Sequence, residues 1–290
     1  ITGSTGLLGS RLASFFYECG HTVILGSRSS HSRSPICGLP VIKLDFISIY
    51  SLSLICQNVD VVIHCSGMNA SDSISDPHGS FVSNSLFAAN LAQAAMTSHV
   101  KLFIYFSTAH IYANPLIGQV DESLVPSNLH PYAASKYCAE HMVRSILSIS
   151  STKFLCFRLS NAVGAPAIPS SNCWSLLANS ICLDSFRNSK ITLSSSGQQW
   201  RNFISIDSIV HIVQSALSRY HGFPPSLVLN LGDKSMTVNK FARIVSSRAE
   251  QIFNINIPIE ITSALPTESI PLEFNHDLLD HYFSPVFYPI

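Results

Sequence analysis

The chain has 290 residues, 47% of them hydrophobic, which supplies ample material for a buried core and excludes a disordered tail. Only 12% are charged against a usual ~25%, and Lys+Arg 17 balance Asp+Glu 17, so no basic excess exists to neutralise a phosphate backbone. Nucleic acid is therefore not an expected partner.

The apolar runs 59–63 and 102–106 fall far short of the ~18 residues of a membrane helix, so no membrane partner is expected. The cysteines form no CxxC pair and the histidines no HxH or HExxH spacing, which predicts neither a disulfide framework nor a metal site and fits a reduced, cytoplasmic setting.

The chain opens Ile1, Thr2, Gly3, directly at a glycine-rich turn. Such a turn is entered from a strand of about 5 to 6 residues, of which only Ile1 is present, so the expectation is a fragment with its first strand largely missing. Helical periodicity follows over Leu7–Cys19 and stops at Gly20, and short buried strands are expected at Thr22–Leu25, Val41–Leu44 and Val59–His64. A long helix over Phe81–Met96, a strand at Lys101–Phe106, a helix over Pro131–Ile149 and a strand at Leu155–Leu159 continue the alternation. This βαβ rhythm predicts an α/β fold with a parallel sheet and right-handed crossovers.

After Gly164 the texture turns to Pro, Ser and Asn, which predicts a boundary between residues 1–163 and 164–290. Beyond it, helices are expected at Trp174–Phe186, Ser208–Arg219 and Val238–Ile252, and strands at Lys190–Leu193 and Asn202–Ile206, with 201–220 packing back on the first region.

Gly3, Ser4, Thr5, Gly6, Leu7, Leu8 and Gly9 set three glycines three apart between a strand remnant and a helix. Small residues there permit a tight turn, and the helix N-terminus offers free N–H groups to a pyrophosphate, although the spacing alone also suits a purely structural turn. No acid occurs from Thr22 to Leu44 to bind the ribose hydroxyls of NAD, whereas Ser27 and Arg28, with Arg33 near, suit the extra phosphate of NADP or simply a solvated surface. Tyr132 and Lys136, four apart in a helical pattern, share one face, and an ammonium beside a phenol suits acid–base chemistry as well as it suits an exposed pair.

Taken together, these residues resemble the extended short-chain dehydrogenases/reductases, also called NAD-dependent epimerase/dehydratases, of the sugar-nucleotide-modifying type. The resemblance runs through Thr2–Gly9, Leu44-Asp45-Phe46, His64-Cys65-Ser66-Gly67, Asn84, Phe106 to Tyr112, Tyr132xxxLys136, Arg158 to Asn161, Arg201 to Ile204 and Asn230-Leu231-Gly232. It implies a Rossmann-like doubly wound parallel sheet with a smaller C-terminal substrate-binding region, and an NADP or NAD cofactor, NADP being slightly favoured by Arg28. It further implies catalytic roles for Thr108, Tyr132 and Lys136. Asp45, Phe46, Ser66, Gly67, Asn84 and Ser107 would line the cofactor together with the glycine turn, Ser27 and Arg28. Thr108, His110, Asn161 and Arg201 would face a nucleotide-sugar substrate. Room is left for a homodimer.

The family's dehydratases carry an Asp-Glu pair where this chain has Ala109 and His110, so epimerisation or keto-reduction is expected in place of dehydration. The alternatives are an extended-type reductase of a steroid or phenolic ketone, or a non-catalytic NADP-binding or truncated gene product.

Overall fold

The computed structural model describes residues 1–28, 36–262 and 270–290; Arg33 lies outside them. In chain order the first half runs α1 (Leu7–Glu18), β1 (Leu25–Ser27), β2 (Val41–Lys43), α2 (Ile49–Cys56), β3 (Val61–His64), α3 (Ala70–Ser75), α4 (Pro77–Phe81), a π turn (Val82–Leu86), α5 (Phe87–Thr97), β4 (Leu102–Thr108), β5 (Gly118–Val120), α6 (Pro131–Leu147), β6 (Lys153–Leu159) and β7 (Asn161–Val163). The remainder runs α7 (Leu177–Asn188), β8 (Ile191–Leu193), β9 (Trp200–Ser205), α8 (Ile206–Arg219), β10 (Ser226–Leu231), β11 (Lys234–Thr237), α9 (Val238–Phe253), β12 (Ile259–Ile261), β13 (Leu272–Phe274) and α10 (Asp277–Phe283).

The main sheet is parallel throughout, in the order β2, β1, Thr2, β3, β4, β6, β10. Thr2 holds the centre, bridging Gly26 on one side and His64 on the other, with its N–H donating to the Ile63 carbonyl at 3.0 Å. Beside this bridge a groove of about 420 Å³ lies between the early part of β3 and residues 22–24, lined by Val23, Ile24, Val61, Ile63 and Leu91. Residues 22–24, expected as strand, carry no ladder, because a strand is defined by pairing and the neighbouring bridge begins only at Gly26.

Side chains alternate across the sheet with the period of two that a strand imposes. Leu102, Ile104 and Phe106 of β4 join Leu12 and Phe16 of α1 and Ile209 and Val213 of α8 on one face. Phe103 and Tyr105 join Leu52 of α2, Leu91 of α5 and Val143 of α6 on the other. Burial on both faces explains why these strands read as near-continuous apolar runs. A separate cluster of Ile181, Ile191, Phe203, Met236 and Phe241 holds α7, β8, β9 and α9 together, with the Phe203 and Phe241 rings stacked at 4.4 Å. Among the described residues no helix is long and apolar enough to cross a membrane.

Helix α2 was not among the predicted elements. Its Ile-Tyr-Ser-Leu-Ser-Leu-Ile-Cys run alternates like a strand, but the Ser48 hydroxyl accepts from the Ser51 N–H at 3.1 Å and starts a helix.

One buried polar chain ties α6 to the sheet. Arg158 of β6 donates to Glu140 of α6 at 2.9 Å and to the Tyr112 hydroxyl at 2.8 Å, and Tyr112 donates to Asn230 Oδ1 of β10 at 2.7 Å. The ion pair has both partners under 10% exposed, with Arg158 at 8% and Glu140 at 5%. Removing one partner strands the other charge, so Glu140→Ala should cost about 3 to 5 kcal/mol of stability in urea unfolding, and Glu140→Gln, which keeps an acceptor, should cost less.

Candidate active site

The expected site residues gather at the carboxyl ends of the parallel strands, where an open α/β sheet forms its crevice. The glycine turn follows Thr2 at the sheet centre. Gly3 has φ +64°, and a Cβ there would lie 2.9 Å from the Ser66 nitrogen, so glycine is required on two counts. A Cβ on Gly9 would collide with the Gly3 carbonyl oxygen, which fixes how tightly α1 packs against the turn. Helix α1 has Gly6 as its N-cap with no side-chain cap and no acid in its first turn, leaving its N-terminal N–H groups to an anion.

Several cofactor-lining candidates are already engaged within the fold. The Ser4 hydroxyl donates to the Gly26 carbonyl, and the Thr5 carbonyl accepts from Ser171 at 2.8 Å. Asp45 Oδ1 accepts from the backbone N–H groups of Ile47 and Ser48. Phe46 is 3% exposed and stacks on Phe87 at 5.1 Å, so only its backbone faces any ligand. The Asn84 carboxamide accepts from the Met68 N–H at 2.7 Å and donates to Ser135 at 2.9 Å and Ser80 at 3.3 Å. It clips the loop after Gly67 onto α6. Leu7 and Leu8 pack against the α1–α8 core, Ser27 is buried, and Arg28 is exposed just past β1. Among the described residues the buried Ser107 hydroxyl has no hydrogen-bond partner.

Thr2 and His64 set a tautomer. Thr2 Oγ1 accepts from both the N–H and the hydroxyl of Ser66, at 3.3 and 2.8 Å, so its own proton goes to His64 Nδ1 at 2.8 Å. His64 Nε2 therefore carries a hydrogen, and it is buried without a partner. Burial, reinforced by the charge of Lys136, holds the His64 pKa down at about 3.

Helix α6 brings Tyr132 and Lys136 into the crevice. His130 caps it, its Nδ1 accepting from the Tyr132 N–H at 3.2 Å, and Pro131 sits in the first turn where its missing N–H costs nothing. Burial raises the pKa of the Tyr132 phenol above its ordinary value, and the polar side chain of Thr108 nearby offsets part of that. Lys136 is 6% exposed, and its ammonium lies 4.4 Å from the centre of the Tyr105 ring. Burial lowers its pKa to about 8.

On the far side, the His110 N–H donates to Thr108 Oγ1 at 3.2 Å, and burial, then Arg201 and His130, hold its pKa at about 4, so its imidazole is neutral at pH 7. Asn161 donates its amide to the Asn202 carbonyl at 2.8 Å. Arg201 donates one N–H to the Trp200 carbonyl at 2.8 Å, and among the described residues the rest of its fork makes no hydrogen bond.

The model of the NAD dependent epimerase/dehydratase family matches residues 1–232. The chain belongs to that family. This member is 26% identical over 237 residues to dTDP-D-glucose 4,6-dehydratase of Dictyostelium discoideum, covering 72% of this chain and 53% of that protein. It is 29% identical over 168 residues to the probable low-salt glycan biosynthesis reductase Agl14 of Haloferax volcanii, covering 57% and 53%. The chain thus spans about half the length of these curated relatives. Its fold superposes on MoeE5 in complex with UDP-glucose and NAD with a TM-score of 0.81 at 19% identity, covering 100% of this chain and 93% of that one.

His64, Tyr105, Glu140 and Ser171 were not singled out from the sequence as site-supporting residues. His64 stood in the run His64-Cys65-Ser66-Gly67 without a role of its own, and Glu140 left a signal four residues after Lys136 on the same helix face.

The depressed His64 pKa has a testable consequence. Its contribution to stability is complete above pH 6.5 and is lost as pH falls toward 3, because the unfolded imidazole takes up a proton that the folded one refuses. The stability difference between the parent and His64→Asn should therefore shrink as pH falls from 6.5 to 3, by up to about 1.4 kcal/mol per pH unit. A difference that stays constant with pH would refute this.

Proposed function

We propose that this chain carries NAD(P)-dependent hydride chemistry on a nucleotide-diphosphate sugar, as an epimerase or keto-reductase. The observation that carries the reading is that Tyr132 and the buried Lys136 stand one helical turn apart on α6, with Thr108 at the end of β4 close enough to act on the Tyr132 phenol.

The crevice fits a nicotinamide dinucleotide. Glycines stand where a Cβ would strike the turn's own backbone, which keeps the turn tight; an uncapped helix N-terminus follows it, and among the described residues Ser107 keeps a buried hydroxyl without a partner. The turn from Gly3 to Gly9, Ser66, Gly67 and Lys136 would hold it, and Arg28, with no acid nearby in sequence, favours NADP slightly. Once bound, that group supplies a hydride acceptor or donor next to the sugar carbon.

The chain's own residues handle the matching proton. Tyr132 takes it from the sugar hydroxyl in the oxidising direction and returns it in reduction, while Thr108 orients the same oxygen. Residues on both sides of Gly164 face the substrate in this reading, with Arg201 coming from the C-terminal part. The open fork of Arg201 suits a diphosphate, with Asn161 beside it, and neutral His110 offers a hydrogen bond to the sugar without adding charge. Ala109 and His110 provide no acid pair to expel a hydroxyl, which argues against dehydration even though several relatives are named for it.

Two measurements test the reading. Incubated with UDP- and dTDP-hexoses and NAD(P)(H), the parent should turn over at least one of them. Tyr132→Phe should lose about 10²- to 10⁴-fold in rate while keeping cofactor affinity. Unchanged turnover would move the chemistry elsewhere, and activity on a steroid or phenolic ketone alone would favour the non-sugar reductase. For the cofactor, NADP(H) should bind more tightly than NAD(H), and Arg28→Ala should erase that preference; an equal preference before and after the change would rule out the role of Arg28.

A further inference from the structure

Lys136 is a buried cation without a carboxylate. Every titratable group that faces it is otherwise committed. From its own helix, Glu140 is paired with Arg158. From β3 and the loop after it, His64 is neutral, and Cys65 is held protonated by burial, its pKa pushed up to about 12. From β6, burial likewise keeps the Cys156 thiol protonated. Among the described residues the ammonium makes no hydrogen bond. What it does touch is the face of Tyr105, at 4.4 Å from the ring centre and inside the range of a cation–π contact.

Tyr105 is itself fixed. It is fully buried in β4 and stacks on the His64 ring at 5.7 Å and 19°, and His64 is in turn hydrogen-bonded to Thr2. Its hydroxyl is buried with no partner, so the hydroxyl contributes nothing that a phenylalanine at this position would lose.

We infer that Tyr105 is a positioning residue for Lys136, its ring face holding the ammonium charged and aimed into the crevice while leaving all three N–H donors to a ligand. A carboxylate in that place would hold the charge too, but it would occupy the donors and pull the ammonium toward itself. A π face attracts the cation without consuming a donor. The inference rests on Lys136 serving the proposed reaction, yet its test reads the lysine directly and needs neither cofactor nor substrate.

The full chain is labelled with ¹³C at lysine Cε, and the Lys136 resonance is assigned by its loss in Lys136→Met. The parent should titrate near 8. Tyr105→Phe should titrate within a few tenths of a unit of it and unfold at the same or a higher temperature. Tyr105→Leu should titrate about one unit lower, because burial then acts without the ring to oppose it. Since the leucine variant could also disturb packing, phenylalanines carrying one, two and three ring fluorines are placed at position 105. They keep the ring's shape while draining its face of electron density, and the Lys136 pKa should fall stepwise with fluorine count. A flat response across the fluorinated series would overturn the inference, as would a drop in Tyr105→Phe as large as in Tyr105→Leu. Loss of turnover in Tyr132→Phe bears on the reaction and leaves this titration untouched, so the two readings fail separately.

Discussion

The centre of the parallel sheet passes through Thr2. Its backbone bridges β1 and β3, and its hydroxyl is held by Ser66 from one side and His64 from the other. The same residue opens the glycine turn, so the hydrogen bonds that join the two halves of the sheet also set where the N-terminus of α1 stands. A buried N–H without a partner costs about 1 to 3 kcal/mol, and the molecule carries that cost at His64 Nε2. The return is a rigid link between the turn and the end of β3, with the His64 ring laid against Tyr105.

Charge is handled with similar economy. In a chain with few charged residues, the described residues hold one buried ion pair, Arg158 with Glu140, extended by Tyr112 and Asn230 to the neighbouring strand. Closing that pair removes Glu140 as a counter-ion for Lys136, although it lies one turn away on the same face. Burial keeps His64 and His110 neutral and the nearby thiols protonated. In the proposed site a ligand would meet cations from Lys136 and Arg201 together with neutral donors, a setting that suits a phosphate-bearing molecule.

Much of this was legible in the sequence because it follows from periodicity and local chemistry. The helices starting at Leu7 and Pro131, the strands ending at His64 and Leu159, and the alternation that makes the sheet parallel appear within a few residues of their predicted bounds. Strand limits were less legible wherever pairing decides them, as at residues 22–24, and α2 was hidden by an alternating pattern that a serine cap overrode. The long helix expected at Phe81 begins at Pro77 and passes through a π turn at Val82–Leu86, which carries Asn84. Propensity does not foresee such a turn, because its cause lies in what the turn packs against.

By itself the sequence determined the residue types at the proposed reacting positions, the alternation of strands and helices and the family, since each is a matter of spacing along one dimension. The tertiary structure decided which of those residues remain available. Ser4, Asp45 and Asn84 read as ligand contacts in sequence; in the fold each also makes hydrogen bonds of its own, through one oxygen only at the exposed Asp45, and Phe46 is drawn into the core. Tyr105 is an ordinary strand residue in sequence, yet it becomes the surface on which the Lys136 ammonium rests. A hydrogen bond or a ring contact between residues tens of positions apart has no local signature, and it exists only once the sheet has closed around Thr2.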